Sequence, residues 1–227
     1  MLKNLLNLMF PKTCKGCDAL LLYNEVIICA ECRHKLPLTQ HHLIKNNSTF
    51  KKFYGIIPTE FCSAMLYFHK DGIVQNLIHN LKYKNCQEIG TLLGDWYSHE
   101  IKHVEELKDV TDIIPVPLHK KRFKERGYNQ ITTFCQSLAE NLQVKFNEEL
   151  LHRNSYSKTQ TKKNKTERNN ISNAIFEISH CYTEEKKHFL LVDDVITSGA
   201  TLEACAKTLL KIPNSKISII TIAYSDS

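Results

Sequence analysis

The chain contains FLLVDDVITSGAT at Phe189 to Thr201, and this stretch decides the fold class. The apolar residues 189–192 predict a buried strand, and the neighbouring acids Asp193 and Asp194 follow it directly. A loop of small and hydroxyl residues comes next. Apolar residues spaced three or four apart from Leu202 to Leu210 then predict a helix. A strand, an acid pair, a small-residue loop and a helix in this order are typical of a phosphate site in an α/β protein.

Small side chains let a phosphate approach the backbone N–H groups of such a loop, and Gly199 adopts an unusual dihedral angle at low cost. The acids Asp193 and Asp194 repel a phosphate, so they suit ribose hydroxyls or a hydrated Mg²⁺ beside it. The alternative is an ordinary buried strand that ends in an acidic turn. The candidate ligand-binding residues of this stretch are Asp193, Asp194, Val195, Ile196, Thr197, Ser198, Gly199, Ala200 and Thr201.

The stretch resembles the signature of type I phosphoribosyltransferases, in which a hydrophobic strand leads into Asp-Asp and Thr-Ser-Gly-x-Thr. That resemblance implies a parallel sheet flanked by helices. It also implies that the loop holds the 5-phosphate of phosphoribosyl pyrophosphate (PRPP), which binds with Mg²⁺. By the same analogy, Asp193 and Asp194 are the candidate catalytic residues.

Composition indicates a globular protein of a reducing compartment. The chain has 227 residues, 42% of them hydrophobic and 24% charged, and its formal net charge is +6. No apolar run is long enough to span a bilayer, and the N-terminal residues 1–10 predict a short docking helix rather than a signal peptide. The nine cysteines do not form a disulfide pattern. We therefore expect a cytoplasmic protein without an integral membrane segment.

Four of these cysteines form two C-x-x-C pairs, Cys14/Cys17 and Cys29/Cys32. Tetrahedral Zn²⁺ needs four such ligands from a short segment, so the spacing predicts a zinc ribbon. Disulfides and an iron–sulfur cluster are the alternatives. A site with four protein ligands leaves no position for a substrate, so the zinc is expected to be structural. Residues 20–28 between the pairs predict a small hairpin that turns at Asn24.

A second strand, loop and helix is predicted over residues 112–142. Residues 112–118 indicate a strand that the prolines end, and an amphipathic helix begins near Ile131. The predicted loop between them, 119–130, is strongly basic and includes Arg122 and Arg126. Arginine side chains bind phosphate oxygens in pairs. In phosphoribosyltransferases the corresponding loop grips the pyrophosphate, whereas the alternative is a solvated basic loop.

Residues 155–170 are polar and rich in Lys, Thr and Asn, with no apolar face. Such a stretch between two ordered elements predicts a lid, and the type I fold has a flexible hood at this place. The alternative is a disordered linker. Candidate contacts to the ligand are Lys158, Gln160, Lys163 and Arg168.

Several motifs occur together and in order: the four cysteines, PVPLHKKRFKERGYNQ, RNSYSKTQ, LLVDDVITSGATL and ISIITIAY. This set resembles the ComF family of competence-related proteins over nearly the whole chain. It implies a zinc ribbon with its N-terminal helix at residues 1–50 and a phosphoribosyltransferase-like domain at 51–227. It also implies a link to natural transformation. Family members tend to carry a lysine at the position of Lys82, so Lys82 and Tyr83 are candidates to face the site. A lysine at a helix end also serves as a dipole partner.

Three hypotheses for function remain open. The protein is a phosphoribosyltransferase that acts on PRPP, a non-catalytic adaptor that binds single-stranded DNA or proteins of the uptake machinery, or a PRPP sensor without turnover. Basic residues interleaved with Phe123 and Tyr128 favour single-strand binding. The acid pair followed by the loop favours PRPP.

Overall fold

The structure is a computed structural model that describes residues 11–154, 175–179 and 186–226. The N-terminal helix predicted over residues 1–10 and the hood predicted over 155–170 lie outside the described residues. The division of the chain at residue 50 stays a prediction.

The described residues form short N-terminal helices followed by alternating helices and strands. The strands are β1 (Phe61–Tyr67), β2 (Asp112–Pro115), β3 (Lys145–Phe146), β4 (Leu151–Arg153), β5 (Phe176–Ile178), β6 (Lys187–Ile196) and β7 (Ser215–Tyr224). The α-helices are α1 (Ala30–Lys35), α2 (Ser48–Lys51), α3 (Ile73–Tyr83), α4 (Glu88–Ile101), α5 (Lys120–Arg126), α6 (Thr132–Leu142) and α7 (Ala200–Leu209). Two 3₁₀ helices span His41–Leu43 and Glu105–Leu107.

Five strands form one sheet in the order β1-β7-β6-β2-β3, and every neighbouring pair in it is parallel. Strand β6 lies at the centre, so its carboxyl end faces a crevice with strands on both sides, which is where open α/β sheets bind ligands. The predicted parallel sheet flanked by helices is confirmed. The antiparallel pair β4–β5 lies outside this sheet and flanks residues 155–175.

Helices cover both faces of the sheet. One core cluster joins apolar residues of α3, α4 and α6 to Leu190 and Val192 of β6. The other cluster joins α7 and Phe53 to Phe189 and Leu191. The first cluster also contains Cys14, Cys29 and Cys32, so the cysteine segment packs on the same face as α3 and shares its core.

Strand β6 is longer than the predicted apolar run. It continues through both aspartates to Ile196 because β7 keeps pairing with it: Asp193 lies opposite Thr221, and Ile196 lies opposite Tyr224. The acid pair therefore lies within the last four residues of β6 and not in the loop. By contrast, β2 ends at Pro115, as the prolines predict.

Candidate ligand-binding site at the carboxyl end of the sheet

The loop after β6 forms a small cup. Gly199 adopts a left-handed conformation with φ of +81°, and α7 begins at the next residue. The loop encloses a cavity of about 40 Å³. The cavity is lined by Asp193, Val195, Ile196, Thr197, Ser198, Gly199, Ala200, Thr201 and Leu202. The structure thus gathers the candidate residues of this stretch, except Asp194, around one space.

The backbone N–H groups of this cup are available to a ligand. Within the described part of the chain, no protein acceptor takes the N–H of Thr197, Ser198, Gly199, Thr201 or Leu202. The N–H of Ala200 donates to the hydroxyl of Ser198 at 3.4 Å. Adjacent N–H groups at a helix start bind anions because their partial positive charges add to the helix dipole. The cup therefore has the chemistry of an anion site.

The two aspartates differ in their surroundings. Asp194 is buried, with 6% of its surface exposed, and its carboxylate accepts a hydrogen bond from Gln130 Nε2. The same carboxylate lies 2.9 Å from Lys82 Nζ. Asp193 is half-buried and accepts the backbone N–H of Asp194 at 2.8 Å. Burial, followed by the charge of Asp194, raises the pKa of Asp193 to about 7, although Lys82 and Arg153 act against that shift.

The prediction of a loop over residues 119–130 was wrong for its first half, which forms helix α5. The ring of His119 accepts the N–H of Lys121 at 3.1 Å at the start of the helix, and Gly127 ends it with φ of +79°. The helix has no buried residue, so its basic side chains lie at the protein surface. The sequence shows no apolar period in this short stretch, which is why the helix was missed.

The helix directs its two candidate arginines differently. Arg126 donates to Gln130 Oε1 at 2.6 Å and to the Tyr83 hydroxyl at 3.3 Å, with its guanidinium 5.0 Å from the Tyr83 ring centroid. Arg126 thus joins the Asp194 network through Gln130. Arg122 is exposed and does not line the neighbouring cavity described next.

A cavity of about 590 Å³ lies between the carboxyl end of β2, helix α5 and strand β4. Its cations are Lys120, Lys124 and Arg153, and one carboxylate, Glu148, also lines it. The charge of Arg153 lowers the pKa of Asp193, so this cavity-lining cation lies within electrostatic range of the acid pair. Sequence reasoning missed these cations. Their positions depend on where α5 starts and on the β4–β5 pairing, which spacing along the chain does not reveal.

Lys82 and Tyr83, at the end of α3, do face the site through Asp194 and Arg126. Gln130, which sequence reasoning placed only in the basic loop, lies between Arg126 and Asp194. The network therefore joins α3, β6 and the region that follows α5.

The four cysteine sulfurs Cys14, Cys17, Cys29 and Cys32 lie within 4.8 Å of one another and can hold a metal ion. The backbone N–H groups of Gly16 and Cys29 donate to Cys14 Sγ at 3.3 and 3.2 Å, and that of Cys32 donates to Cys29 Sγ at 3.4 Å. Burial alone would raise the pKa of the Cys14 thiol, but hydrogen bonds from the backbone of Cys29, Gly16 and Cys17 and from the Cys29 side chain outweigh it and lower that pKa to about 7. N–H donors that favour thiolates fit a cationic metal.

The hairpin predicted between the cysteine pairs was wrong in its strands and right in its turn. Residues 23–24 form a turn, and Glu25 N donates to Leu22 O at 3.0 Å. The segment makes only an isolated antiparallel bridge, between Thr13 and Leu20, among the residues the structure describes. The segment is held instead by the cysteines and by its contact with the main core.

A serine, a histidine and an aspartate also meet away from this site. His188 lies 2.9 Å from Ser218 Oγ and 2.6 Å from Asp109 Oδ1. They cluster where β6 and β7 begin, and Ser218 is fully buried. A substrate cannot reach that hydroxyl, so the arrangement is a buried polar network rather than a nucleophilic triad.

No helix in the described ranges is long and apolar enough to cross a membrane.

Comparisons with known proteins give similar sequences and weak structural similarities. No protein-family model matches the chain. Competence protein ComFC from Bacillus subtilis (strain 168) is 32% identical over 204 residues, which cover 84% of this chain and 81% of that protein. DNA utilization protein YhgH from Escherichia coli O157:H7 is 32% identical over 139 residues, 60% of each chain. The match thus spans less than two thirds of the YhgH protein. Competence protein F from Haemophilus influenzae is 34% identical over 55% of each.

Among solved structures, adenine phosphoribosyltransferase from Leishmania tarentolae has a TM-score of 0.38 at 12% identity over 84% of this chain and 94% of that one. Hypoxanthine phosphoribosyltransferase from Trypanosoma cruzi has a TM-score of 0.37 at 14% identity over 61% of this chain and 78% of that one. Both TM-scores are below 0.5, so the fold is assigned from the strand order and the parallel pairing of the sheet.

Proposed function

The chain belongs to the ComF family of competence proteins, and on that premise we propose that it binds PRPP with Mg²⁺ and acts in the handling of DNA during natural transformation. This proposal is carried by the cup after β6, where among the described residues only the N–H of Ala200, out of residues 197–202, has a protein acceptor. A terminal phosphate monoester has three oxygens to accept such donors, and the loop sequence agrees with the phosphoribosyltransferase signature.

The rest of the ligand follows from the cup. Asp193 and Asp194 are proposed to bind the ribose hydroxyls, and they are the carboxylates to which a hydrated Mg²⁺ would bind. Mg²⁺, when bound, supplies positive charge against the pyrophosphate. The cavity cations Lys120, Lys124 and Arg153 support the pyrophosphate better than Arg122 does, because they line the space beside Asp193.

Transfer of the ribosyl group to an acceptor stays a proposal beyond binding. An acceptor nitrogen or amine would form a bond to the anomeric carbon while the bond to pyrophosphate breaks. The chain contributes to such a step by positioning PRPP and by stabilising the leaving charge. Its raised pKa also makes Asp193 a candidate to take a proton near neutral pH.

The metal proposed for the four cysteines is Zn²⁺ in a structural role. Four thiolates from two short pairs suit tetrahedral Zn²⁺, and a four-ligand set leaves no place for a substrate. The scattered free cysteines support a reducing compartment, and we propose the cytoplasm.

A second candidate function, single-stranded DNA binding, is favoured by helix α5. Phe123 is 51% exposed and lies among Lys120, Lys121, Arg122 and Lys124 on a helix without buried residues. An exposed ring among cations is the usual means of holding unpaired bases and their backbone. Because the chain belongs to a family of competence proteins, we also propose proteins of the DNA-uptake machinery as partners.

The PRPP proposal is tested by calorimetry of the purified protein with PRPP and Mg²⁺. We expect binding by the wild type and none by the Asp193→Asn/Asp194→Asn double variant. Asp71→Asn serves as the matched control, because Asp71 is exposed in a left-handed turn that asparagine accepts. Absence of wild-type binding would overturn the PRPP proposal.

The DNA proposal is tested separately by the fluorescence anisotropy of a labelled oligothymidine. The double aspartate variant is expected to keep its DNA affinity, whereas Lys120→Gln/Lys124→Gln is expected to lower it and reduce its salt dependence. A pyrophosphate-release screen against bases and amines then distinguishes an enzyme from a sensor.

A further inference from the structure

The first cysteine knuckle, residues 14–17, is attached directly to helix α3. Asn76 Nδ2 donates to the carbonyl of Gly16 at 2.8 Å, and Asn80 Nδ2 donates to the carbonyl of Lys15 at 2.8 Å. Asn76 and Asn80 are one helical turn apart, so both carboxamides leave the same face of α3. Asn80 is 5% exposed, so its bond is largely shielded from water.

The contact is also closely packed. A Cβ added to Gly16 would lie 2.9 Å from Ile73 Cγ2 and 3.0 Å from Cys32 Sγ. Only glycine therefore fits between the second cysteine pair and the start of α3. The side chains of Ile73 and Cys32 thus pack directly against the backbone of Gly16.

The carbonyls that α3 binds lie between two candidate metal ligands. Lys15 and Gly16 separate Cys14 from Cys17, and the N–H of Gly16 donates to Cys14 Sγ at 3.3 Å. The direction of those carbonyls thus depends on how the four sulfurs are held. A change at the sulfurs reaches α3 through two short hydrogen bonds.

The other end of α3 reaches the candidate ligand site. Lys82 Nζ lies 2.9 Å from Asp194 Oδ2, and the Tyr83 hydroxyl accepts from Arg126 at 3.3 Å. The carbonyl of Leu81 accepts the Tyr128 hydroxyl at 2.7 Å. The last turn of α3 is therefore bonded to β6, to α5 and to the residues after α5.

We propose that Asn76 and Asn80 are positioning residues, through which the four-cysteine cluster holds the end of α3 so that Lys82 stays paired with Asp194. The two sites are then coupled: loss of order at the sulfurs loosens Lys82, and the Asp194 carboxylate loses the cation that balances it. The functional consequence rests on the proposed PRPP site, whereas the structural coupling is measurable without any ligand.

The test uses the full chain as purified with its metal, and the Asn76→Ala/Asn80→Ala variant. Amide hydrogen exchange is measured over the peptide that contains residues 81–84, together with the metal content. We expect the variant to keep its metal and to exchange about tenfold faster in that peptide. Asn141→Ala is the matched control, because Asn141 on α6 also donates its carboxamide to a backbone carbonyl, that of Ser137 at 2.9 Å, and to Asp95 Oδ1 on α4, but makes no hydrogen bond to α3 among the described residues.

Exchange at residues 81–84 that stays at the wild-type rate in the Asn76/Asn80 variant would overturn the proposal. So would an equal acceleration in Asn141→Ala, because the effect would then reflect general stability. Should the double variant fail to fold, the single Asn76→Ala variant and stepwise chelation of the wild type decide the matter. Both are expected to accelerate exchange at residues 81–84 before exchange accelerates in helices α4 and α6. Equal acceleration in all three places contradicts the proposal.

PRPP calorimetry adds the functional outcome. The Asn76/Asn80 variant is expected to bind PRPP about fivefold more weakly than the wild type and than Asn141→Ala. If the wild type does not bind PRPP, the proposed function fails, and the exchange data still decide the coupling. If PRPP binds equally to all three proteins, the coupling does not reach the ligand site. The coupling proposal then fails, whereas the proposed PRPP binding stands.

Discussion

Two strand-to-helix units lie side by side at the carboxyl end of the sheet, and they offer an anion different groups. After β6, a loop with a left-handed glycine presents backbone N–H groups around a cavity of about 40 Å³. After β2, the chain forms helix α5, whose side-chain cations line a cavity of about 590 Å³. A main-chain site has its shape fixed by the loop, whereas a side-chain site keeps flexible cations that accept ligands of different shape.

Substitutions at Gly199 and Gly127 test the difference between the two units most directly. Gly199 and Gly127 have nearly the same φ, +81° and +79°, but an added Cβ at Gly199 would lie 3.2 Å from Phe53 Cε1, and one at Gly127 would meet nothing within 4 Å. We expect Gly199→Ala to weaken PRPP binding roughly 10- to 100-fold, since strain of about 1–3 kcal/mol displaces the loop. Calorimetry measures this.

Gly127→Ala is the control for the same backbone strain. It is expected to lower the free energy of unfolding by about 1 kcal/mol and to leave PRPP affinity within about twofold of the wild type. Equal losses of affinity in the two variants would show that the cup after β6 has no special part in binding.

The same contrast explains what the sequence could predict. The order of strand, loop and helix around Gly199 could be predicted because these residues are neighbours in the chain, whereas phosphate binding by the loop stays a prediction. The cations that line the cavity after β2 could not be read from the sequence, and the assignment of Arg122 and Arg126 to the pyrophosphate stays a prediction. Helix α5 has no apolar face to reveal it, and Arg153 comes from another strand pair. Lys82 was found only through the family resemblance, because its contact with Asp194 joins positions 112 residues apart.

A smaller effect separates the cavity cations from their neighbour on the same helix. Lys120→Gln/Lys124→Gln is expected to weaken PRPP binding about tenfold, because charge-assisted contacts to the pyrophosphate are lost. Ribose 5-phosphate, which lacks the pyrophosphate, is expected to bind this variant as it binds the wild type. Parallel titrations with the two ligands provide the measurement.

Arg122→Gln is the matched control for that variant. Arg122 lies on the same exposed helix but does not line the cavity, so we expect less than about a twofold change in PRPP affinity. A tenfold loss in Arg122→Gln, with none in the lysine variant, would restore the arginine assignment made from the sequence.

The remaining expected effect is a pH dependence of stability on the β6 side. Because burial raises the pKa of Asp193 to about 7, the folded protein holds this proton more tightly than the unfolded chain does between about pH 4 and 7. The free energy of unfolding therefore falls as the pH rises through that window. Relative to Asp193→Asn, we expect the wild type to lose roughly 1–3 kcal/mol.

Denaturant unfolding of both proteins at several pH values measures that difference. Asp71→Asn, a substitution of the same kind at an exposed position, is measured in the same series as the control. A flat difference for Asp193→Asn would mean that Asp193 titrates like a solvated carboxylate.

The most direct test of the central claim is a crystal structure of the protein with PRPP and Mg²⁺. We predict the 5-phosphate oxygens within about 3 Å of the N–H groups of residues 197–202, with the ribose beside Asp193 and Asp194. An ordered PRPP whose 5-phosphate lies elsewhere, with no phosphate at residues 197–202, would show that this loop is not the phosphate site.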